Sequence, residues 1–220
     1  MKHAFEAAAL REQTGRLGAS LEDDQLQKLL RYERMLVERA VPMGLIAESD
    51  IRKIRSRHVL DSLRAAPLLA GAGDAYDLGA GAGLPGLVIA IARPEVHVGL
   101  VDSRRGRVAF LELAIEELSV SNATAFGARV EALSEPVDVC LARAFAPAAR
   151  AWELAEPLLR PGGRLVYFAG VGEETKSLRD RPSSSAGARG AGIPSNARVL
   201  EVLSTPVLES AGPLVIMARQ

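Results

Sequence analysis

One stretch organises this sequence: Tyr76-Asp77-Leu78-Gly79-Ala80-Gly81-Ala82-Gly83, followed further along by Val101-Asp102. The pattern predicts a buried strand, a glycine turn, a helix, and a second strand that ends in an acid. Glycine at such a turn permits positive φ angles and lets a ligand approach the main chain. An acid at the tip of the second strand suits the two hydroxyls of a ribose. The stretch therefore predicts a site for a nucleoside-containing cofactor.

Outward from this stretch, short apolar runs alternate with helical patterns. The predicted strands cover residues 75–78, 96–101, 123–126, 137–142 and 164–168, and the helices between them cover 84–92, 107–118 and 148–158. Two later runs, 198–203 and 214–217, predict an antiparallel pair that completes the sheet. Such alternation indicates an α/β fold with a mostly parallel, seven-stranded sheet. The small polar residues within 171–197 predict a mobile segment.

The beginning of the chain follows a helical rhythm instead. Apolar residues recur at helical spacing within residues 3–40, where Ser20 is predicted to cap a helix with Asp23 and Asp24 in its first turn. A second helix is expected from Ser49-Asp50 onward. We therefore predict two units, an N-terminal helical cap over residues 1–70 and a cofactor-binding domain over residues 71–220.

Composition and charge narrow the class of protein. The single cysteine, Cys140, excludes an intramolecular disulfide and a cysteine metal cluster, so a reducing, cytoplasmic location is expected. No apolar run has the length that a bilayer requires, so no membrane association is expected. The three histidines show no ligand spacing, so no metal is expected. Basic and acidic residues balance at 27 each, which gives no global argument for nucleic-acid binding.

The glycine turn allows three interpretations. It could be a tight turn without a ligand, a dinucleotide site with the pyrophosphate at a helix N-terminus, or a site for S-adenosylmethionine. Asp77 favours the third, because an acid is unfavourable beside a pyrophosphate but suits a ligand with an amino group. Asp102 would then meet the ribose. Taken alone, Asp77 could instead cap the following helix, and Asp102 could be a solvated strand end.

Beyond the turn, the chain resembles the RsmG (GidB) family, which methylates N7 of a guanine in small-subunit (16S) ribosomal RNA. The resemblance spans about residues 20–170 and rests on Arg57-His58-Val59-Leu60-Asp61-Ser62-Leu63, Gly83-Leu84-Pro85-Gly86, Asp102-Ser103, Arg129-Val130-Glu131 and Arg143-Ala144-Phe145-Ala146. It implies a Rossmann-like class I S-adenosylmethionine-dependent methyltransferase fold, with S-adenosylhomocysteine as the product. The chain departs from the family pattern at Val41–Ile46, at Ala169, where a lysine is usual, and at its C-terminal end, which lacks the usual basic residues.

The resemblance also implies contacts with the methyl donor at Gly79, Leu84, Val130, Glu131 and Arg143. We add these positions to the glycine turn and Asp102. The expected cofactor-binding set is Asp77, Gly79, Gly81, Gly83, Leu84, Asp102, Val130, Glu131 and Arg143. No residue is assigned as a chemical catalyst, because guanine N7 carries a lone pair and no proton, so alignment suffices. Arg143 is expected to orient the donor or the guanine, with a salt-bridged surface residue as the alternative. Cys140 is expected to be a small buried hydrophobe.

Two basic clusters are candidates for contact with RNA phosphates. The expected RNA-binding residues are Arg55, Arg57, His58, Arg104, Arg105 and Arg107, with a solvated helix face as the alternative. Phe145 could stack on the acceptor base or pack in the core. The expected partner is small-subunit ribosomal RNA or a ribosomal particle, met by a monomer. Two other hypotheses stay open: an S-adenosylmethionine-dependent methyltransferase of another acceptor, and a cofactor-binding homologue without turnover.

Overall fold

The fold is built on one mixed sheet of seven strands in the order β3-β2-β1-β4-β5-β7-β6. The computed structural model describes residues 2–170, 196–205, 208 and 211–219. The strands are β1 Asp74–Leu78, β2 His97–Val101, β3 Ala123–Phe126, β4 Val137–Arg143, β5 Leu159–Phe168, β6 Ala197–Leu203 and β7 Leu214–Arg219. Strands β1 to β5 are parallel, and β7 lies antiparallel between β5 and β6. The predicted α/β fold with a mostly parallel sheet is confirmed.

The strand order reverses at β1, which lies between β2 and β4. Leu78 at the end of β1 is paired with Val101 of β2 and with Ala142 of β4. The carboxyl ends of these three parallel strands therefore lie together at one edge of the sheet. Open α/β sheets bind ligands in the crevice at such a reversal, and the glycine turn that follows β1 lies there.

Helices cover both faces of the sheet. The α-helices are α1 Lys2–Gly15, α2 Asp23–Met35, α3 Asp61–Leu63, α4 Gly86–Ala92, α5 Arg105–Leu118 and α6 Ala148–Ala155. Two π-helical segments cover Leu36–Ala40 and Ile54–Leu60, and 3₁₀ turns cover Glu48–Lys53, Ala66–Leu69, Val130–Ala132 and Glu156–Leu158. Among the described residues, no helix combines the length and apolar character needed to cross a membrane.

The start of α2 differs from its prediction. The helix begins after Glu22, whose main-chain N–H donates to Oε1 of Gln25 at 2.7 Å. The Gln25 side chain, at the third residue of the helix, thus provides an acceptor for the main-chain N–H at the start of the helix. The predicted cap at Ser20 is wrong, because Ser20 lies two residues before that position. The helical region predicted over residues 3–40 is interrupted between Gly15 and Asp23.

Alternate side chains of the strands pack into two apolar layers. One layer joins one face of the sheet to α2, α4 and α5, for example through Leu29, Leu87 and Leu111. The other joins the opposite face to α6 through Trp152 and the fully buried Cys140. Burial raises the pKa of the Cys140 thiol, as expected of a small buried hydrophobe. Because the first layer runs from the N-terminal helices into the sheet, the unit boundary at residue 70 stays a prediction.

The predicted mobile segment 171–197 lies outside the described residues, except for its last two positions.

Candidate functional site

A cavity of about 230 Å³ opens at the carboxyl edge of the sheet, beside the strand reversal. It is lined by Gly79 after β1, Asp102 after β2, and Val130 and Glu131 after β3, together with Phe145 after β4. Four of the predicted cofactor residues, from three separate loops, are thus brought together. Ser103, Arg104, Arg107, Ala128 and Arg129 complete much of the wall, although the sequence had not assigned them to a cofactor.

The three glycines of the turn have different surroundings. All three have positive φ angles, +72° at Gly79, +59° at Gly81 and +87° at Gly83, a conformation that glycine adopts without steric cost. A Cβ on Gly79 would overlap the ring of Phe145, and a Cβ on Gly83 would lie 2.9 Å from the hydroxyl of Tyr32. Gly79 therefore faces the cavity, whereas Gly83 packs against the cap helix α2.

Asp102 is nearly buried, with 5% of its surface exposed. Its Oδ1 accepts a hydrogen bond from the Arg104 N–H at 2.9 Å, and its Oδ2 accepts from the Gly81 N–H and from Arg107, both at 3.1 Å. The interpretation of Asp102 as a solvated strand end is therefore wrong. A carboxylate offers about four acceptor positions, so Asp102 retains capacity for a hydroxyl in the cavity.

Asp77 is fully buried at the end of β1. Its Oδ2 accepts a hydrogen bond from the Gly86 N–H at 2.7 Å, so it caps the start of α4 as the alternative interpretation required. Its Oδ1 is also buried and accepts no hydrogen bond from any described residue. Burial raises the pKa of Asp77 to about 7, against the opposing effects of the Gly86 N–H and Arg143. A positively charged ligand group would favour the ionised form.

The remaining cofactor candidates lie around the cavity or behind it. Val130 is buried in a 3₁₀ turn, and the half-exposed Glu131 beside it pairs with Arg150 of α6 at 2.9 Å. Leu84 is 9% exposed and donates its N–H to the Ala80 carbonyl, which places it within the turn rather than on the cavity wall. Val130 and Glu131 therefore line the cavity, whereas Leu84 helps to form the turn beside it.

Arg143, at the end of β4, points into the cap instead of the cavity. Its Nε lies 3.0 Å from Oδ2 of Asp61, and its terminal nitrogen donates to the Arg57 carbonyl at 2.7 Å. The side chain is 16% exposed, so it is salt-bridged but not a surface residue. The next residue, Ala144, has a φ of +49°, a conformation that non-glycine residues rarely adopt.

The two predicted basic clusters differ in how their charges are paired. Arg55 forms a forked pair with Glu33 at 2.8 and 2.7 Å, and Arg57 and His58 both contact Asp50. Arg107 pairs with Asp102. Within the described ranges, no ion pair engages the exposed side chains of Arg104 and Arg105. These two arginines lie at and beside the cavity mouth, and they are the predicted RNA-facing charges that stay available.

Tyr32 is a part of the site that the sequence analysis missed. It is fully buried in α2, and its hydroxyl donates to the Ala82 carbonyl inside the glycine turn. Burial, followed by the nearby Asp77, raises its pKa, so the phenol stays protonated and can donate. The contact joins residues far apart in the sequence, and helical periodicity had marked this position only as part of a helix.

Tyr32→Phe is expected to lower the free energy of unfolding by about 1–3 kcal/mol, because the buried Ala82 carbonyl would lose its donor. Urea unfolding followed by circular dichroism measures the change. Tyr76→Phe is the matched control, because the Tyr76 hydroxyl makes no hydrogen bond with the described residues and its ring contact with Phe126 would persist. Equal losses in both variants would contradict a specific role for the Tyr32 hydroxyl.

Comparisons with known proteins agree with this geometry. The family model described as rRNA small subunit methyltransferase G matches residues 25–188. A protein of Acidiphilium cryptum (strain JF-5) named ribosomal RNA small subunit methyltransferase G is 39% identical over 76% of this chain and 78% of its own length. A protein of the same name from Janthinobacterium sp. (strain Marseille) is 33% identical over 92% of this chain and 90% of its own.

Solved structures share the fold at low sequence identity. The glycopeptide N-methyltransferase MtfA complexed with sinefungin superposes with a TM-score of 0.55 at 12% identity, over 74% of this chain and 87% of that chain. The ribosomal protein L11 methylase of Lactobacillus delbrueckii subsp. bulgaricus superposes with a TM-score of 0.52 at 8% identity, over 74% and 79%. The Rossmann-like class I methyltransferase fold implied by the resemblance is confirmed.

Proposed function

This chain belongs to the rRNA small subunit methyltransferase G family, and we propose that it transfers a methyl group from S-adenosylmethionine to N7 of a guanine in small-subunit (16S) ribosomal RNA. The observation that carries the proposal is the cavity at the strand reversal, where Gly79, Asp102, Val130 and Glu131 meet. A nucleoside-containing donor requires these features together: a glycine beside the ligand, an acid for the ribose, and an apolar side chain such as Val130 beside the base.

The residues around the cavity fit this donor. We propose that Asp102 binds the ribose hydroxyls and that Val130 and Glu131 lie beside the adenine. Gly79 and the Phe145 ring that covers it lie on the side of the cavity proposed for the methionine part. The unpartnered Oδ1 of the buried Asp77 supports a ligand with a positive charge, because such a charge would lower the cost of ionising the carboxyl group. Gly81, Gly83 and Leu84 act by holding the turn in shape.

The chemistry places few demands on the protein beyond alignment. S-adenosylmethionine, when bound, supplies a methyl group on a sulfonium that leaves as S-adenosylhomocysteine. The chain must hold the acceptor nitrogen in line with that group, and N7 of guanine needs no base to remove a proton. A mechanism through a nucleophilic cysteine finds no support here, because Cys140 is fully buried in β4 and its pKa is raised.

Acceptor binding is proposed on the side of the cavity where Arg104 and Arg105 are exposed. Phosphates of RNA are attracted by unpaired guanidinium groups, whereas Arg55 and Arg57 already carry acidic partners. We propose that Phe145, at the end of β4, faces the acceptor side of the cavity. We further propose that the protein acts as a cytoplasmic monomer, on free small-subunit ribosomal RNA or on a ribosomal particle.

The test of this function is methyl transfer to small-subunit particles that lack the modification. The purified protein, radiolabelled S-adenosylmethionine and such particles are expected to yield 7-methylguanosine on nucleoside analysis. Labelling of a different nucleoside would contradict the N7 assignment. Turnover of a small molecule or a protein, with none on particles or free ribosomal RNA, would favour another acceptor. Donor binding without any transfer would favour a homologue that has lost turnover.

Asp102→Asn is expected to weaken the binding of S-adenosylhomocysteine by about 10- to 100-fold, the loss of a hydrogen bond to a charged group. Isothermal titration calorimetry measures the dissociation constant. Asp138→Asn is the control, because Asp138 lies at the opposite edge of the sheet, where it pairs with Arg160. An unchanged dissociation constant for Asp102→Asn would rule out the ribose contact.

A further inference from the structure

A buried carboxylate holds two arginines together where the cap meets the sheet. Oδ1 of Asp61 lies 2.6 Å from Arg64, and Oδ2 lies 3.0 Å from Arg143. The three side chains, called here the Asp61 cluster, are 12%, 2% and 16% exposed in that order. Two guanidinium groups share one carboxylate, so burial requires further acceptors for the remaining N–H groups.

Arg64 finds those acceptors beside β5 and β7, in the C-terminal half of the sheet. Its terminal nitrogen donates to the Gly212 carbonyl at 2.9 Å, just before β7. Its guanidinium lies 5.7 Å from the centre of the Phe168 ring at the end of β5, within the range of a cation–π interaction. Arg64 therefore anchors Asp61 to the strands of the C-terminal half of the sheet.

Arg143 connects the cluster to the cap in the opposite direction. One nitrogen of its guanidinium donates to the Arg57 carbonyl at 2.7 Å and contacts Nδ1 of His58 at 3.3 Å. Nε2 of the same imidazole lies 3.2 Å from Asp50. Burial, followed by Arg143, lowers the pKa of His58, and a neutral ring that accepts at Nδ1 and donates at Nε2 satisfies both contacts. The segment Ile54–Leu60 is thereby fixed to the end of β4.

We infer that Asp61 is a positioning residue that acts through Arg143 to hold the cap segment Ile54–Leu60 against the carboxyl end of β4, as one wall of the entrance for the RNA acceptor. The inference rests on the proposed function for the identity of the acceptor. It assigns Arg143 to the acceptor side of the site, because its N–H groups bind cap residues and it does not line the donor cavity. Removal of Asp61 would leave two buried guanidinium groups without the carboxylate they share, so the position of Arg143 depends on Asp61.

The test compares Asp61→Asn and Arg143→Lys with the wild-type protein. Lysine keeps the positive charge of Arg143 but not its planar fork, so this variant also covers the case in which Asp61→Asn fails to fold. Hydrogen exchange followed by mass spectrometry is expected to be at least about tenfold faster for the amides of residues 54–60 in both variants. The KM for particles is expected to rise by about tenfold or more through misplacement of the acceptor. The kcat and the dissociation constant of S-adenosylhomocysteine should change less than about twofold.

Arg160→Gln is the control, because Arg160 also joins two opposite charges, Asp74 and Asp138, but in a more exposed cluster at the opposite edge of the sheet. Unchanged exchange over residues 54–60 would overturn the inference. A KM within twofold of wild type would overturn it as well, and so would a parallel loss of donor affinity, which would make Arg143 a donor contact. If the wild-type protein methylates no ribosomal substrate, the proposed function fails, whereas the exchange rates still decide whether Asp61 and Arg143 fix the segment.

Discussion

Gly86→Ala is expected to lower the free energy of unfolding by about 3 kcal/mol, the upper part of the usual cost of overpacking a core. A Cβ at this position would overlap the Leu100 side chain and would lie 2.6 Å from Cβ and 2.7 Å from Oδ2 of Asp77. Leu100 or Asp77 would have to move, and both residues belong to buried strands of the sheet. The same displacement would break the hydrogen bond from the Gly86 N–H to Asp77. Because Asp77 is a proposed contact of the methyl donor, the affinity for the donor should decrease together with the stability.

Gly106→Ala is the matched control for this prediction. Gly106 lies in the first turn of α5, and no atom beyond its chain neighbours and its own helix backbone lies within 4 Å of its hypothetical Cβ. Alanine in a helix is more favourable than glycine by about 0.5–1 kcal/mol, so this variant should be slightly more stable than wild type. Urea unfolding of the three proteins measures both effects. A similar loss in both variants would contradict the packing argument at Gly86.

Asp77→Asn is expected to raise the stability of the ligand-free protein above neutral pH and to weaken donor binding. Burial raises the folded-state pKa of Asp77 to about 7 from its ordinary value of 3.8, so between these pH values the folded state holds a proton that the unfolded state has released. The free energy of unfolding therefore falls as pH rises through this window, by about 1.4 kcal/mol per pH unit for one proton. Asparagine does not ionise, so at pH 8 the free energy of unfolding of the variant is expected to exceed that of the wild-type protein by up to about 4 kcal/mol.

The measurement is urea unfolding from pH 4 to pH 8, paired with calorimetry of S-adenosylhomocysteine at pH 8. The variant should lose the downward slope between about pH 4 and pH 7 and bind the ligand at least about tenfold more weakly, since a charge-assisted contact is lost. Asp138→Asn supplies a control of opposite sign. Burial raises the pKa of Asp138, but hydrogen bonds from Gly73 and Arg160 outweigh it, so the net pKa is lowered. Identical pH profiles for wild type and Asp77→Asn would contradict the protonation argument.

Much of the fold follows from local patterns in the chain. The alternation of apolar runs and helical stretches predicts the strands closely, because burial on both faces of a parallel sheet requires continuous apolar segments; the exception is β5, which begins at Leu159, five residues before the predicted start. The glycine turn and Asp102 could be assigned to one site for a related reason: the carboxyl ends of neighbouring parallel strands meet at one edge. The Ser20 cap was a wrong prediction, because it followed the capping preference of serine, whereas the helix begins after Glu22, whose main-chain N–H donates to the Gln25 side chain.

The ion-pair partners of the charged residues could not be predicted from local sequence patterns. From the sequence, Arg55 and Arg57 were assigned to RNA phosphates and Arg143 to the donor or the guanine, with no indication of which acid would pair with any of them. The structure gives Glu33 to the first, Asp50 to the second and Asp61 to the third, and it leaves the exposed Arg104 beside the cavity.

The sequence thus determined the α/β sheet, the glycine turn and the type of cofactor, because strand periodicity and glycine conformation are properties of neighbouring residues. Only the tertiary structure decided that Tyr32 supports the turn and that Asp61 holds Arg143. These contacts join α2 to the turn after β1, and α3 to the end of β4. Which side chains meet across such distances depends on how helices pack on the sheet, and the free energy of a buried charge depends on the partner that it finds there.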